Sequence, residues 1–106
     1  MIVIVVFSPR SHADEVRAAL AAAGAGTLGN YTACSFSASG EGRFRPEEGA
    51  EPYLGEPGRP EVVDEVRIEC VCDDALAKGA VEAMLAAHPY EEPAYHCYRA
   101  LTLGDL

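Results

Sequence analysis

No stretch of this 106-residue sequence stays apolar for long. The longest such run, Ile2 to Phe7, is far too short to cross a bilayer or to form the core of a secretion signal, and no basic segment precedes it. A cytoplasmic compartment is therefore expected, with no membrane partner. Positive charge is also scarce: eight Lys and Arg stand against seventeen Asp and Glu, a net charge of −9. Such a surface repels phosphate backbones and anionic lipid, so no nucleic-acid partner is expected. Cysteine is limited to Cys34, Cys70, Cys72 and Cys97, at spacings that match no zinc ribbon or dithiol redox motif. In a chain with no secretion signal they are expected to be reduced thiols serving as small core hydrophobes.

What remains is ordinary globular material. Hydrophobic residues make up 49% and charged residues 24%, a balance that favours folding over disorder. Residues 1–106 are expected to form one domain, since a chain of this size buries roughly 60 to 70% of its unfolded surface. Ile2 to Phe7 is β-branched and uninterrupted, which predicts a strand covered on both faces. Ser11 and Asp14 suggest a capping pair, after which Val16, Ala19, Leu20 and Ala23 recur at helical spacing until Gly24. A glycine-rich connector leads to a second strand predicted over Tyr31 to Ser39. Gly40-Glu41-Gly42 is expected to bend it before Arg43 to Arg45 extend further.

From Pro46 to Pro60, seven of fifteen residues are Pro or Gly, and Tyr53 and Leu54 are the only bulky apolar side chains. This predicts one long loop over about 46–60, and a loop of that length in a compact domain is usually functional or disordered. Glu61 to Cys72 alternates with period two, placing Val66, Ile68, Cys70 and Cys72 on one face of a third strand. Asp73 or Asp74 then caps a second helix whose stripe is Leu76, Ala80, Ala83, Met84 and Ala87, ending near His88-Pro89. Pro93 to Leu101 is the fourth strand. The order βαββαβ predicts an α+β, ferredoxin-like antiparallel sheet with strands one and three central and both helices on one face. The first strand is apolar in both directions, so its far face calls for a cover from outside the chain, most simply another copy.

Three blocks of residues carry a family resemblance. They are Gly24-Ala25-Gly26 through Gly29-Asn30-Tyr31 and Cys34-Ser35-Phe36; Gly40-Glu41-Gly42-Arg43-Phe44-Arg45-Pro46 with Gly49, Pro52 and Gly55; and His88-Pro89-Tyr90-Glu91-Glu92-Pro93-Ala94-Tyr95. Across nearly the whole chain the sequence resembles the YqfO-type domain, which occurs alone or inserted in Nif3-like, dinuclear-metal-centre proteins. The turn His88-Pro89-Tyr90-Glu91 before Pro93 is also similar to that of CutA proteins, whose fold resembles the PII signalling proteins. The resemblance implies a PII/CutA-like homo-oligomer, specifically a trimer. The flanking segments that hold two metals in the larger proteins have no counterpart here, so the resemblance does not carry any hydrolase-like activity to this chain.

Several constellations compete with blander readings. His88, Glu91, Glu92 and His96 lie within nine residues and offer donors suited to a divalent cation, the one cofactor the sequence suggests. Equally, Pro89 and Pro93 can simply fix a turn in which Tyr90 packs. Arg43 and Arg45 flank Phe44 and could hold a carboxylate or phosphate, or pair with Glu41, Glu47, Glu48 or the acids of a neighbouring subunit. Gly24, Gly26 and Gly29 follow a helix instead of a strand, which favours positive φ and close backbone approach over a phosphate loop. The residues expected to face a ligand at subunit clefts are Tyr31, Cys34, Arg43, Arg45, Tyr90 and Tyr95. The function expected is a binding or regulatory module for a small ligand, metal or protein partner. The alternatives are a small enzyme using Cys34 or His88, and a purely structural assembly module.

Overall fold

A computed structural model describes every residue, Met1–Leu106. In chain order the elements are β1 (Ile2–Pro9), a 3-10 turn (Arg10–His12), α1 (Ala13–Ala22), β2 (Phe36–Phe44), β3 (Glu61–Cys72), α2 (Asp74–Ala87), β4 (Tyr95–Arg99) and a last 3-10 turn (Leu103–Asp105). The four strands form one antiparallel sheet in the order β2-β3-β1-β4, with both helices on one face: the ferredoxin-like, PII/CutA-like arrangement. No helix is long and apolar enough to cross a membrane.

The core follows from the alternation of β1 and β3. Ile4 and Val6 point to the helix side together with Val66, Ile68, Cys70 and Cys72, and Val16, Leu20, Ala80 and Met84 close over them. The α2 stripe is displaced from the one its sequence suggests: Ala77, Val81 and Leu85 flank Ala80 and Met84, while Leu76 is 44% exposed. Neither α1 nor α2 has the side-chain cap its sequence suggests. Ser11 bonds the His12 ring instead, Asp14 pairs with Arg17, and Asp74 is held between Arg99 and the Met1 amine. All four cysteines are free; Cys70 and Cys72 are core residues as expected, but Cys34 is half-buried and Cys97 is exposed.

The second strand corrects the sequence reading most. It starts at Phe36, not Tyr31, and runs through Gly40-Glu41-Gly42 without a break, paired to Glu65, Asp64 and Val63. The segment before it turns back on itself, because Leu28 and Tyr31 exchange both backbone hydrogen bonds (2.8 and 2.9 Å) and Ala33 takes φ 56°. Gly26 then donates its N–H to Val71 at 2.7 Å, occupying the place a continuing strand would fill. Its φ of 81° and its contact with the Cys34 backbone admit no side chain. The fourth strand is shorter than the expected Pro93 to Leu101, because β1 limits its ladder: the last bonds are Phe7 N–H to Ala94 and Ala100 N–H to Met1.

The face opposite the helices carries no second layer, yet β1 is already shielded there. Val3 is 6% and Val5 0% exposed. Their cover is the side chains of neighbouring strands: the register sets Glu69 and His96 beside Val5, and Val71 and Tyr98 beside Val3. His96 stacks on Tyr98 at 6.4 Å, and the Arg67 guanidinium lies 5.9 Å from the Phe7 ring centre. β1 is thus shielded within the chain itself, before any outside cover is added. What stays open on this face is its rim, with Phe36 71% and Tyr98 47% exposed.

Candidate functional site

Where β2 ends, the chain leaves the sheet and builds a cleft. Residues 45–60 form no helix or strand, as their composition dictates, but they are tied down. Gly58 donates its N–H to the Pro46 carbonyl at 2.6 Å, and Glu51 donates its N–H to the Glu91 carboxylate at 3.1 Å. The second bond joins the long loop to the turn after α2, and the space between loop, turn and sheet is a cavity of about 360 Å³. That volume lies within the range of small-molecule sites, roughly 300 to 1,000 Å³.

The turn itself is organised by His88. This side chain is 7% exposed, and both ring nitrogens are engaged: Nε2 lies 2.7 Å from the Phe7 carbonyl, and Nδ1 accepts the Tyr90 N–H at 3.1 Å. A carbonyl can only accept, so the proton sits on Nε2 and the ring is neutral. Burial lowers the His88 pKa below its ordinary value, partly opposed by the bond to Phe7. Tyr90 is thereby aimed along the sheet, and its hydroxyl donates to Glu65 at 2.8 Å. Burial raises the phenol's pKa, and the Glu65 bond adds to the rise. Phe44 and Tyr53 stand 6.1 and 6.4 Å from the Tyr90 ring, and Tyr53 is held in turn by an edge contact to His12 at 5.6 Å.

Arg43 and Arg45 line the cleft beside this aromatic group. Arg43 pairs with Glu41 at 3.1 Å and Arg45 with Glu47 at 3.0 Å, the local pairing that was the blander alternative for them. Both pairs are largely exposed, so each contributes at most about 1 kcal/mol and a ligand can displace it.

Of the ligand-facing residues expected from sequence, the structure brings together Arg43, Arg45 and Tyr90. Tyr95 begins edge strand β4 and does not line the cleft, although Ala94 just before it in sequence does. Tyr31 is 74% exposed in the loop after α1. Cys34 lines a separate slot with Ala25, Ile68 and Cys70, which shares no residue with the cleft. His88 lines neither this slot nor the cleft, so Cys34 and His88 share no cavity. The four residues expected to hold a metal do not converge either, and no group of three or more His, Cys, Asp or Glu is placed to hold an ion. His88 has no free nitrogen, and His96 is stacked on the open sheet face. Sequence reasoning missed Phe44, Tyr53 and Glu65. Tyr53 had a signal, as one of two bulky apolar residues in a Pro- and Gly-rich loop; Glu65 had none, because alternation marks it only as solvent-facing.

No family model matches the chain. The GTP cyclohydrolase 1 type 2 homolog of Halalkalibacterium halodurans is 46% identical over 102 residues, covering 96% of this chain and 27% of that protein. A Bacillus cereus protein related to NIF3 superposes with a TM-score of 0.79 at 48% identity, over 92% of this chain and 24% of the other. The chain thus spans about a quarter of the length of the relatives it matches. The PII-like protein CutA of Nostoc sp. PCC 7120 superposes with a TM-score of 0.67 at 14% identity, over 94% of this chain and 81% of that one. At that identity the likeness is one of fold.

Proposed function

The chain belongs with the Nif3-related GTP cyclohydrolase 1 type 2 homologs as the counterpart of one YqfO-type segment of their length, and from that premise we propose that it is a ligand-binding, regulatory module of the PII/CutA kind. The observation that carries this reading is the cleft, whose walls come from the end of β2, the 45–60 loop and the 88–94 turn. A ligand that bridges those segments stabilises their mutual arrangement, which is how a loop-built site reports occupancy to a partner. The ligand is a small organic molecule bearing an acidic group, received by Arg43 and Arg45 once their exposed partners yield. The copies assemble through the open sheet face, as the trimer that the CutA resemblance implies. A small enzyme working through Cys34 or His88 gains no support from the geometry, since Cys34 lines a slot separate from the cleft and both nitrogens of the His88 ring are occupied.

Thermal shift across carboxylates, phosphates, nucleotides and divalent metals tests this reading. A ligand at a hundred times its Kd adds about 2.7 kcal/mol to the native state, a rise of several degrees in Tm for a domain of this size. The rise is expected for at least one organic anion and should disappear in the Arg43→Ala, Arg45→Ala double variant. A shift that survives the double substitution would place the ligand elsewhere.

A further inference from the structure

Resting on the ligand-binding reading above, we propose that the cleft takes a small zwitterion, its ammonium group against Tyr90, Phe44 and Glu65 and its carboxylate against Arg43 and Arg45. The charge of the walls is out of balance. Glu65, Glu91 and Glu92 all line the cavity, and none of them pairs with a Lys or Arg of the chain. The two guanidiniums present are turned to Glu41 and Glu47. Glu91 and Glu92 are exposed, but Glu65 is half-buried beside the Tyr90 and Phe44 rings; a carboxylate so placed favours a cation, because the lower local dielectric strengthens the attraction and the ring faces add to it.

That cation is organic. A bare divalent ion needs several converging oxygens, and no such group is assembled anywhere in the chain. Around Tyr90, by contrast, Phe44 and Tyr53 supply aromatic surface 6.1 and 6.4 Å away, which an ammonium group accepts in place of ligand atoms. Glu65 is held ready: its Oε2 accepts the Tyr90 hydroxyl, leaving Oε1 free to receive an N–H. Gly42, directly alongside, has no side chain to displace that carboxylate. At the other pole, a ligand carboxylate makes charge-assisted bonds to Arg43 and Arg45 in exchange for two exposed ion pairs of low worth.

Calorimetric titration with matched probes decides the matter: glycine, 4-aminobutyrate and 6-aminohexanoate, each beside the amine and the carboxylic acid that lack one of its charges. One zwitterion should bind at least about tenfold more tightly than either half-molecule, and Glu65→Gln, which keeps an acceptor for Tyr90, should weaken it about tenfold or more. Glu92→Gln, at an exposed position, provides a second variant whose folding is secure. Equal binding of an acid and its zwitterion, untouched by Glu65→Gln, would overturn the zwitterion while leaving the ligand-binding reading intact. So would silence here combined with a shift from a phosphate or nucleotide in the wider panel. Silence in both removes both.

Discussion

His88 shows how a residue that looks like a ligand can be a structural part. Its Nε2–H closes onto the Phe7 carbonyl and its Nδ1 receives the Tyr90 N–H, so a single neutral ring fixes the end of β1 to the turn that forms one cleft wall. Protonation would put a hydrogen on the nitrogen that must accept. The folded state therefore holds this group's pKa below its ordinary value, with burial as the main cause. A depressed pKa means that the unfolded chain binds the proton more readily, so the stabilisation is complete above the unfolded value, about 6.5. It is lost as pH falls from there through the lower folded value. Glu65 and His12 are the charged or titratable groups that couple to the ring, and Asp74 and Asp105, whose pKa values are also lowered, titrate only in the more acidic carboxylate range. Thermal unfolding followed between pH 7.5 and 5 should show Tm falling below about pH 6.5. In His88→Gln, itself less stable, that part of the fall should be missing; an identical pH profile in the two proteins would contradict the role given to the ring.

Among the elements, β3 was fully legible and β2 was not, for one physical reason. In β3 the apolar alternation of Val66, Ile68, Cys70 and Cys72 is set against a continuous core, so the pattern and the observed limits Glu61–Cys72 coincide. In β2 the equivalent alternation over Tyr31 to Ser39 is of small and polar residues, and what decides the strand is which backbone reaches Val71 first. Gly26 does, through a long-range hydrogen bond that no local pattern announces. The same reasoning covers the cleft. Arg43, Arg45 and Tyr90 were visible as chemistry, while Glu65 became a site residue only through tertiary contacts, the Tyr90 hydroxyl and Gly42 diagonally across on β2. Gly42→Ala should therefore act on the cleft more than on the fold. The added methyl meets the Glu65 carboxylate, pushing it off the Tyr90 hydroxyl. Binding of the ligand identified by thermal shift should weaken about tenfold, while far-ultraviolet circular dichroism stays unchanged. Unaltered binding would show that the placement of Glu65 is irrelevant.

At the scale of the whole molecule, the sheet leaves one face without a layer and gathers a net charge of −9 on a small surface. Val3 and Val5 are already dry beneath their neighbours' side chains, so the face does not need a partner to protect β1. It offers one a partly apolar rim instead, through Phe36 and Tyr98. The measurement that tests the account most directly is native mass spectrometry of the purified protein, alone and with the thermal-shift ligands, because it reads assembly and occupancy together. The account predicts a homo-oligomer, a trimer by the CutA resemblance, that carries one small organic molecule per chain and loses it in the Arg43→Ala, Arg45→Ala double variant. A single chain that stays bare in the presence of every probe would contradict it.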